Sequence, residues 1–480
     1  MSSSIFNIYG KYKLMSVPVK AAFWFTICSF LQKGVAFITV PLFTRIMSTN
    51  DYGTYSLYVS WIQIFTVITT LCIFNGVADN AMSKFEDDRD HYISSMQGLT
   101  LTITLLVYTI CFFNWDWLCK VLGLPSLAIT YMFIELLFLS SICYWSCKQR
   151  FEYKYKSLVY VTILRTILVP LIGIIAVWYS SDKALARIIS TCAVECFICG
   201  YIFFYNFYKG KSFYNKSYWQ YSMYLALPIL PHYLSTVILS HGDRVMISKF
   251  CDNNSLALYS IAYSIGMISQ VFVGSLNSAT TPWVYKMLKT GNIKEIINKS
   301  TPLLIFIFTI NLLLMLISPE IVLLFGSTSY ANAVFVVPPV ASSCFFIYLY
   351  GFLSFPEFYY EKTSYLMISS VFSAIINIIL NYIFIPIFGF VAAAYTTMIC
   401  YALYGLFHFL VGKVILLNCS GYKSILNNRL ALTLSICIIF ISLFIKYIFP
   451  YHYMRYTIIL FLFYILYKRR DSINKLLKDK

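Results

Sequence analysis

Long apolar runs alternate with short polar connections along almost the whole chain. Each run has roughly the 20 residues that a helix needs to cross the hydrocarbon of a bilayer. Fourteen runs can be distinguished, so the pattern predicts fourteen membrane helices, or twelve if the last two runs are merged or discarded. The predicted spans are residues 20–44, 54–76, 97–119, 124–146, 157–179, 184–208, 222–249, 256–283, 301–325, 331–355, 363–386, 388–412, 429–449 and 452–468.

The composition excludes a soluble globular protein. Of the 480 residues, 60% are hydrophobic and only 11% are charged, which leaves too little polar surface to close around a soluble core. A formal net charge of +17 could indicate a nucleic-acid partner, but a chain this apolar carries its basic residues between membrane helices. The 14 cysteines lie mostly in apolar runs without metal-ligand spacing. We therefore expect an integral membrane protein in contact with lipid, with no nucleic acid, metal or cofactor.

Lysine and arginine are distributed unevenly over the connections. If the N-terminus is cytoplasmic, about 26 of the 36 basic residues fall on the cytoplasmic side and about seven on the other. This bias predicts that both termini are cytoplasmic. The frequent Ile, Phe, Tyr, Asn and Lys residues are typical of a bacterial gene of low GC content, which favours the bacterial inner membrane.

The helix count predicts a two-lobed architecture. Six helices per half is an even number, so the two halves enter the bilayer from the same side and are related by an axis along the membrane normal. The predicted N-terminal lobe is 1–215 and the C-terminal lobe is 216–415, followed by a helix pair with a basic tail, 416–480. The connections are short, so the function is expected to lie within the bilayer.

We assign six charged side chains to the membrane interior, where charges are costly and normally face a cavity or a partner. The bases are Lys33, Arg165 and Arg244, and the acids are Glu135, Glu195 and Asp243. One interpretation is a water-filled lumen in which the bases attract an anionic substrate and the acids bind a coupling ion, either a proton or sodium. The alternative is a set of structural pairs, Lys33 with Glu135 or Glu195 and Arg244 with a carboxylate.

Helical spacing orients several of these charges. Arg187, Thr191 and Glu195 recur at intervals of four residues, which predicts one polar line on the sixth helix. Asp243 and Arg244 are adjacent and should point in different directions, so a pair between them is not expected.

Other polar or helix-breaking residues lie on the seventh and eleventh helices. Pro228 and Pro231 predict a kink that could act as a gate, although a plain packing kink explains them equally well. Asn377 and Asn381 share a face, an arrangement more typical of interhelical hydrogen bonds than of ligands. The chain contains no nucleophile elbow, phosphate-binding loop or metal cluster, so it is not predicted to be an enzyme.

Two stretches carry a family resemblance. PLFTRIMSTNDYGTYSLY, at 41–58, and LPHYLSTVILSHGDRVMISKF, at 230–250, with LYSIAYSIG after it, resemble the recurrent segments of the polysaccharide-export family, the Wzx-type O-antigen flippases. That family belongs to one superfamily with multidrug extruders and the lipid II flippase. The chain departs from the family pattern at Cys251 and Asp252, which stand where relatives usually show a small glycine-containing turn.

The resemblance implies a function in lipopolysaccharide or similar surface-polysaccharide biosynthesis. Members of the family move an undecaprenyl-pyrophosphate-linked oligosaccharide from the cytoplasmic to the periplasmic leaflet by alternating access, and a polymerase and a chain-length regulator of the same pathway are the implied partners. A cationic lumen is described for the family, and Lys33, Arg165 and Arg244 fit that pattern. The three intramembrane acids offset these bases, unless they are protonated.

Two other functions are compatible with the sequence. A multidrug or cation-coupled exporter would have the same architecture. An oligosaccharide polymerase or ligase acts on the same lipid-linked glycans but typically needs a large outer loop with arginine and histidine. The longest connections, near 77–96 and 413–428, are predicted to be cytoplasmic, which disfavours the second alternative.

Overall fold

The computed structural model describes residues 16–468, and helices make up nearly all of this range. Lys11, Lys13 and the basic tail at 469–480, which contributed to the predicted topology, lie outside the described residues. The chain divides into two compact units, unit 1 up to Leu234 and unit 2 from Ser235.

Within the described residues, nine α-helices begin in unit 1. They are α1 (Val17–Ile46), α2 (Thr49–Thr70), α3 (Val77–Lys84), α4 (Arg89–Phe112), α5 (Trp115–Leu122), α6 (Ser126–Phe151), α7 (Tyr155–Tyr179), α8 (Lys183–Gly210) and α9 (Lys216–Val237). Unit 2 contains α10 (Asp243–Phe250), α11 (Asn253–Gly266), α12 (Gln270–Lys289), α13 (Ile293–Leu316), α14 (Ser318–Phe325), α15 (Val337–Leu353), α16 (Phe355–Tyr359), α17 (Ser364–Phe388), α18 (Phe390–Ser420), α19 (Asn428–Phe444) and α20 (His452–Lys468).

The prediction of an all-α membrane protein is confirmed. Within the described range, 12 helical segments are long and apolar enough to cross a bilayer, and α2 and α20 occupy the two remaining predicted spans. Three of the 12 segments join consecutive α-helices. Helix α9 continues through a π-helical turn at Ile238–Gly242 into α10, α11 continues through a 3-10 turn at Met267–Ser269 into α12, and α15 continues past Ser354 into α16.

The family-like stretches contain helix starts. Ser48 and Asp51 form a reciprocal capping box at the N-terminus of α2, which satisfies backbone N–H groups that have no helical partner. Asp252 plays the same part for α11 by accepting a hydrogen bond from the Ser255 N–H. Asp252 therefore fixes the start of α11.

Polar side chains join the helices of unit 1 at buried positions. Gln97 on α4 donates to the Phe203 carbonyl of α8, and its own amide oxygen accepts from Asn206 at 2.9 Å. Thr100 on α4 contacts Ser140 on α6 at 3.0 Å. Where the surroundings are apolar on all sides, such hydrogen bonds fix which helix faces meet.

Ion pairs join the ends of the unit 1 helices at the predicted cytoplasmic side. Asp90 at the start of α4 pairs with Lys148 at the end of α6, and Arg150 lies 3.6 Å from Asp79 of α3. A hydrogen bond from Lys154 to Glu152 raises the pKa of that lysine, which keeps it charged. Acidic side chains therefore neutralise part of the excess of lysine and arginine on this side.

Helix α15 lies at the centre of unit 2. In the most apolar stretch of Val337–Tyr359, 89% of the residues are buried inside the protein. The C-terminal helix pair packs on the same unit, with α19 against α13 and α15, and α20 against α13. Arg455 of α20 is fully buried and donates to both carboxylate oxygens of Glu320 and to the Leu316 carbonyl, each at 2.8 Å. Burial alone would raise the pKa of Glu320, but hydrogen bonds from Arg455 and Tyr456 hold it below its usual value.

The division between the units differs from the predicted lobe boundary at 215/216. Packing places the first part of α9 in unit 1, where Tyr92 contacts Ser222 at 2.8 Å and Trp219 donates to the Ser95 carbonyl. The helix pair predicted as a separate segment, 416–480, packs within unit 2 over its described part. Hydropathy indicates where helices begin and end, but it does not show which helices pack together.

A glycine notch holds the buried Arg187 of α8. Its guanidinium lies 3.8 Å from the Phe43 ring centroid and 5.1 Å from that of Tyr55, and Nη1 donates to the Val169 carbonyl. Gly173 of α7 faces this group so closely that a Cβ there would lie 1.7 Å from Nη1. The notch therefore lets a cation sit between α7 and two aromatic rings.

We predict that Gly173→Ala destabilises the protein by roughly 1–3 kcal/mol, because the added methyl must displace the guanidinium from a packed site. Thermal unfolding of the full chain in detergent micelles measures the effect. Gly34→Ala on α1 is the matched control, because its Cβ would have nothing within 4 Å.

A double-mutant cycle gives a second check. In an Arg187→Ala background the notch is empty, so Gly173→Ala should cost much less than in the wild type. An equal cost in both backgrounds would contradict the assignment of the notch to Arg187.

Candidate functional site

The intramembrane charges of unit 1 converge on Glu195. Arg165 of α7 donates through Nε to both carboxylate oxygens of Glu195 on α8, at 2.7 and 2.8 Å. Glu195 is buried, whereas one-third of the Arg165 side chain is exposed. The Cys199 thiol, one turn later on α8, also contacts Glu195. Arg165 and Glu195 thus form an ion pair between neighbouring helices.

Glu135 of α6 is buried beside this pair. It accepts a hydrogen bond of 2.9 Å from the hydroxyl of Tyr58 on α2, and it lies close enough to Arg165 and Glu195 for electrostatic interaction. The cluster thereby connects α2, α6, α7 and α8. The cluster contains one base and two acids, so Arg165 can balance only one of the two carboxylates. A proton or a cation is needed to balance the other when both are ionised.

Lys33 is not part of this cluster. Its side chain on α1 is exposed and, within residues 16–468, forms no ion pair. The suggested pairs with Glu135 or Glu195 are therefore not formed, because Arg165 occupies Glu195 and Tyr58 contacts Glu135. Sequence spacing places charges on helix faces but does not show which faces meet.

Asp243, the first residue of α10, is a fully enclosed acid of unit 2. It is 0% exposed, and its two carboxylate oxygens accept three hydrogen bonds. Tyr259 of α11 donates at 2.5 Å, Thr397 of α18 at 2.6 Å and Asn381 of α17 at 2.7 Å. No lysine or arginine pairs with it in the part of the chain that the structure describes.

A second layer of polar groups supports these donors. The Asn381 amide also donates to Asn377 at 3.2 Å, and Asn377 donates to the Thr397 hydroxyl at 3.0 Å. Thr396 donates to the Asn381 carbonyl oxygen. Asn377 and Asn381, which the spacing assigned to interhelical hydrogen bonds, therefore hold together a site around a buried carboxylate.

Arg244 points away from its neighbour Asp243. It is half-buried, its Nη1 lies 2.9 Å from His241 Nδ1, and its guanidinium lies 4.7 Å from the centroid of the Tyr263 ring. No carboxylate pairs with it among the described residues, so the alternative of a structural ion pair at Arg244 is not observed. The guanidinium of Arg244 therefore contacts the His241 imidazole and the face of the Tyr263 ring.

The two prolines lie in α9, shortly before the point where the chain passes from unit 1 to unit 2. Pro228 and Pro231 are inside the helix, and the π-helical turn at Ile238–Gly242 follows. Each proline removes one backbone hydrogen bond, and a π-turn widens the helix locally, so this segment is the weakest part of the connection.

The sequence analysis missed two buried charge pairs of unit 2. Glu357 of α16 accepts or shares a hydrogen bond of 2.7 Å with His408 of α18, and both side chains are 0% exposed. Arg455 lies inside the last predicted span, 452–468, but was not counted among the intramembrane charges, and it is buried against Glu320. Glu357 lies just past the end of a predicted span, at 331–355, which is why it was not counted among the intramembrane acids.

Comparison with known proteins agrees with this arrangement. The family model described as polysaccharide biosynthesis protein matches residues 19–288. A protein of the Lsg locus of Haemophilus influenzae is 22% identical over 368 residues, covering 72% of this chain and 86% of that protein. An uncharacterized membrane protein of the same organism is 24% identical over 359 residues, covering 72% and 84%.

Solved structures show the fold. The lipid II flippase MurJ in an inward closed conformation has a TM-score of 0.70 at 16% identity, with 94% of this chain and 99% of that chain covered. An inward-facing multidrug resistance transporter of the MATE family gives 0.62 at 13% identity, with 82% and 96% covered.

The expected family is confirmed, because the family model covers more than half of the chain. The fold is that of MurJ and the MATE transporters. The chain belongs to the polysaccharide biosynthesis protein family of membrane flippases.

Proposed function

We propose that this protein moves an undecaprenyl-pyrophosphate-linked oligosaccharide, an O-antigen or similar repeat unit, from the cytoplasmic to the periplasmic leaflet of the bacterial inner membrane. The family supports a role in polysaccharide biosynthesis, and the likeness to a lipid II flippase supports a lipid-linked substrate. A pyrophosphate bearing a hydrophilic glycan cannot cross hydrocarbon unaided, whereas its polyprenyl chain can stay in lipid.

The observation that carries the proposal is the placement of charged groups on membrane helices. Glu135, Glu195 and Asp243 are buried within the helical units, and the longest helix-free connection in the described range is only 421–427. Charges at such positions are costly and are normally retained for moving ions or polar substrates. Transport, not extramembrane catalysis, accounts for this placement.

Lys33 and Arg244 are the bases most available to an anionic head group. Neither pairs with a carboxylate in the described part of the chain, so their charge is not already neutralised. Arg165 contributes less, because Glu195 holds its Nε, although its one-third exposure leaves the terminal nitrogens as a further contact. A pyrophosphate would be attracted by these cations in a region of low dielectric constant.

Asp243 is the leading site for a coupling ion. A buried carboxylate without a basic partner is unstable unless a proton or a cation neutralises it. Asn381 and Thr397 donate to its oxygens and Asn377 supports both, and reorientation of these amide and hydroxyl groups would turn oxygens toward a protonated carboxyl or a hard cation such as sodium. Glu135 and Glu195 remain second candidates, since Arg165 already compensates one of their charges.

The transport cycle would be alternating access of the two lobes, with Pro228 and Pro231 as the compliant segment between them. Both termini are proposed to be cytoplasmic, as the basic bias indicates. A polymerase and a chain-length regulator would act on the translocated unit. The second candidate function is multidrug export, because MATE transporters share the fold.

In a deletion strain, the wild-type gene should restore surface polysaccharide, whereas Lys33→Ala and Arg244→Ala should each lower it at least about tenfold, the equivalent of one lost charged contact. The measurement is surface polymer together with single lipid-linked repeat units retained on the cytoplasmic side. These units should accumulate whenever export fails.

The matched control for Lys33→Ala is Ser29→Ala, one turn earlier on α1, which removes an exposed hydroxyl without changing charge. Drug sensitivity is recorded in the same strains. Unchanged glycan with altered drug sensitivity would favour the exporter, and repeat units that reach the periplasm unpolymerised would indicate a polymerase or ligase.

Asp243→Asn should abolish restoration while leaving the amount of protein in the membrane unchanged, because it removes the charge that a coupling ion neutralises and keeps the side-chain volume. Surface polymer and membrane abundance are the measurements. A protonophore and a sodium ionophore, applied separately to the wild type, identify which gradient drives export.

Asn311→Ala is the control for general damage to the core of unit 2. Asn311 is also 0% exposed and hydrogen-bonded, to Ser269 at 2.8 Å, but it carries no charge. Full export by Asp243→Asn, or equal loss in both variants, would remove Asp243 as the coupling site.

A further inference from the structure

The buried pair His408 and Glu357 is not used in the function proposed above. His408 Nδ1 lies 2.7 Å from Glu357 Oε1, and the other ring nitrogen, Nε2, lies 3.3 Å from the hydroxyl oxygen of Ser369. Ser369 itself donates to the Leu366 carbonyl at 3.0 Å. Neither member of the pair has any exposed surface.

Counting hydrogens shows that this arrangement contains an exchangeable proton. Because the Ser369 hydroxyl hydrogen is used on Leu366, the bond from His408 to Ser369 needs a hydrogen on Nε2. The contact between Nδ1 and Oε1 then needs a second hydrogen, on the imidazole or on the carboxyl. The pair as observed is therefore neutral overall, and it gains a charge of minus one when one of these two hydrogens leaves as a proton.

The surroundings keep the protonated forms close in free energy. Glu357 Oε2 is buried and has no hydrogen-bond partner among the described residues, which disfavours a fully ionised carboxylate. No lysine or arginine in the described range pairs with Glu357. On loss of the proton, the Ser369 hydroxyl can rotate to donate to Nε2 while Nδ1–H donates to Glu357.

The other ionisable groups around the pair are tyrosines. Tyr350 of α15 and Tyr404 of α18 stack on the His408 ring, with centroids at 5.9 and 4.7 Å. Tyr285 of α12 packs against the rings of α16. These phenols are neutral in the physiological range, so the charge change is confined to the pair.

A buried polar seam leads from the pair to Asp243. Four polar residues at intervals of four on α17 form one face of that helix, and all are at most 2% exposed: Ser369, Ser373, Asn377 and Asn381. The facing side of α18 carries Thr397, Tyr401, Tyr404 and His408. Ser369 and Asn377 are about 12 Å apart along the helix axis at 1.5 Å per residue.

Polar side chains lie close together along this seam. Tyr404 lies near Ser369, and Tyr401 lies near Ser240, which is three residues before Asp243. Asn377 and Thr397 belong to the network of Asp243 itself. Hydroxyl and amide groups can relay a proton by short rearrangements, which an apolar helix interface cannot do.

We propose that His408 and Glu357 form a proton-binding site that exchanges its proton with Asp243 through the seam. This inference deepens the proposed ion coupling, on which it rests, and names the proton as the coupled ion. One proton leaves His408 Nε2 by way of the Ser369 hydroxyl, passes along the hydroxyl and amide groups of the seam and neutralises the Asp243 carboxylate, while the proton of the Nδ1 to Oε1 bond stays on Nδ1. The reverse transfer restores the neutral pair.

Nitrogen-15 NMR of the full-length protein, labelled only at histidine and reconstituted in phosphatidylethanolamine–phosphatidylglycerol vesicles, tests proton binding without any glycan. The chain has 5 histidines, so signals can be assigned by single His→Gln variants. The shifts are recorded from about pH 5 to 9, and those of His408 should change within this range as the pair loses its proton. His91 and His452, which are half or more exposed, serve as internal references.

Glu357→Gln removes one member of the proton-binding pair, so the pH-dependent change at His408 should be altered or lost. Asp243→Asn should leave the site titrating but shift its midpoint, whereas Asn311→Ala should not. A His408 signal that stays imidazolium-like, or stays neutral, through the whole range would overturn the proposal, because the pair would then be a fixed structural contact.

The same variants separate failure of this inference from failure of the flippase role. His408→Gln, tested in the deletion strain, should make glycan export insensitive to a protonophore. Export that stays fully protonophore-sensitive in His408→Gln overturns the coupling role even if His408 titrates. If the deletion strain shows no glycan phenotype, the flippase role fails while the NMR result still decides whether the pair binds a proton.

Discussion

The organisation of unit 2 depends on one buried carboxylate that lacks a basic partner. Asp243 is fully enclosed, and three donors from three different helices converge on it. Removing a charge from water without an ion pair is expensive, so the site requires a proton or a cation to be stable. The helices α11, α17 and α18 therefore meet at an enclosed carboxylate that has no basic partner in the described range.

Unit 1 handles its charges differently. Arg165 pairs with Glu195, Arg187 rests against aromatic rings and a backbone carbonyl, and the ends of several helices are joined by ion pairs. Most of this charge is compensated locally and serves packing. Lys33 is the exception, because it is exposed on α1 without an ion pair in the described range. A flippase needs both kinds of charge, one set to keep the bundle intact and another left available for substrate and ion.

Hydropathy predicted the helices well because crossing a bilayer imposes a length and a composition that are local in sequence. The intramembrane acids were found for the same reason: Asp243 interrupts an apolar run that cannot be a loop. Partners could not be predicted, since Tyr58 contacts Glu135 from a distance of 77 positions along the chain. Asn377 and Asn381 were assigned to packing, and only the structure shows that Asp243 lies between them and α11.

His408 and Glu357 show the limit more sharply. A single histidine in an apolar run gives no signal by itself, and its partner lies 51 positions earlier, just past the end of a predicted span. The repeat of Ser369, Ser373, Asn377 and Asn381 at helical spacing was present in the sequence. It indicates a buried polar face, but which helix covers that face depends on the tertiary structure.

The most direct test of the flippase role is a leaflet-accessibility measurement with purified protein. The protein is reconstituted into sealed vesicles that contain a fluorescent polyprenyl-pyrophosphate oligosaccharide, and a membrane-impermeant reagent that destroys the sugar label is added outside. With wild-type protein nearly all of the label should become accessible, whereas empty vesicles and Asp243→Asn vesicles should retain about half, the inner-leaflet share. Retention of half of the label with wild-type protein would contradict translocation of a lipid-linked glycan by this chain.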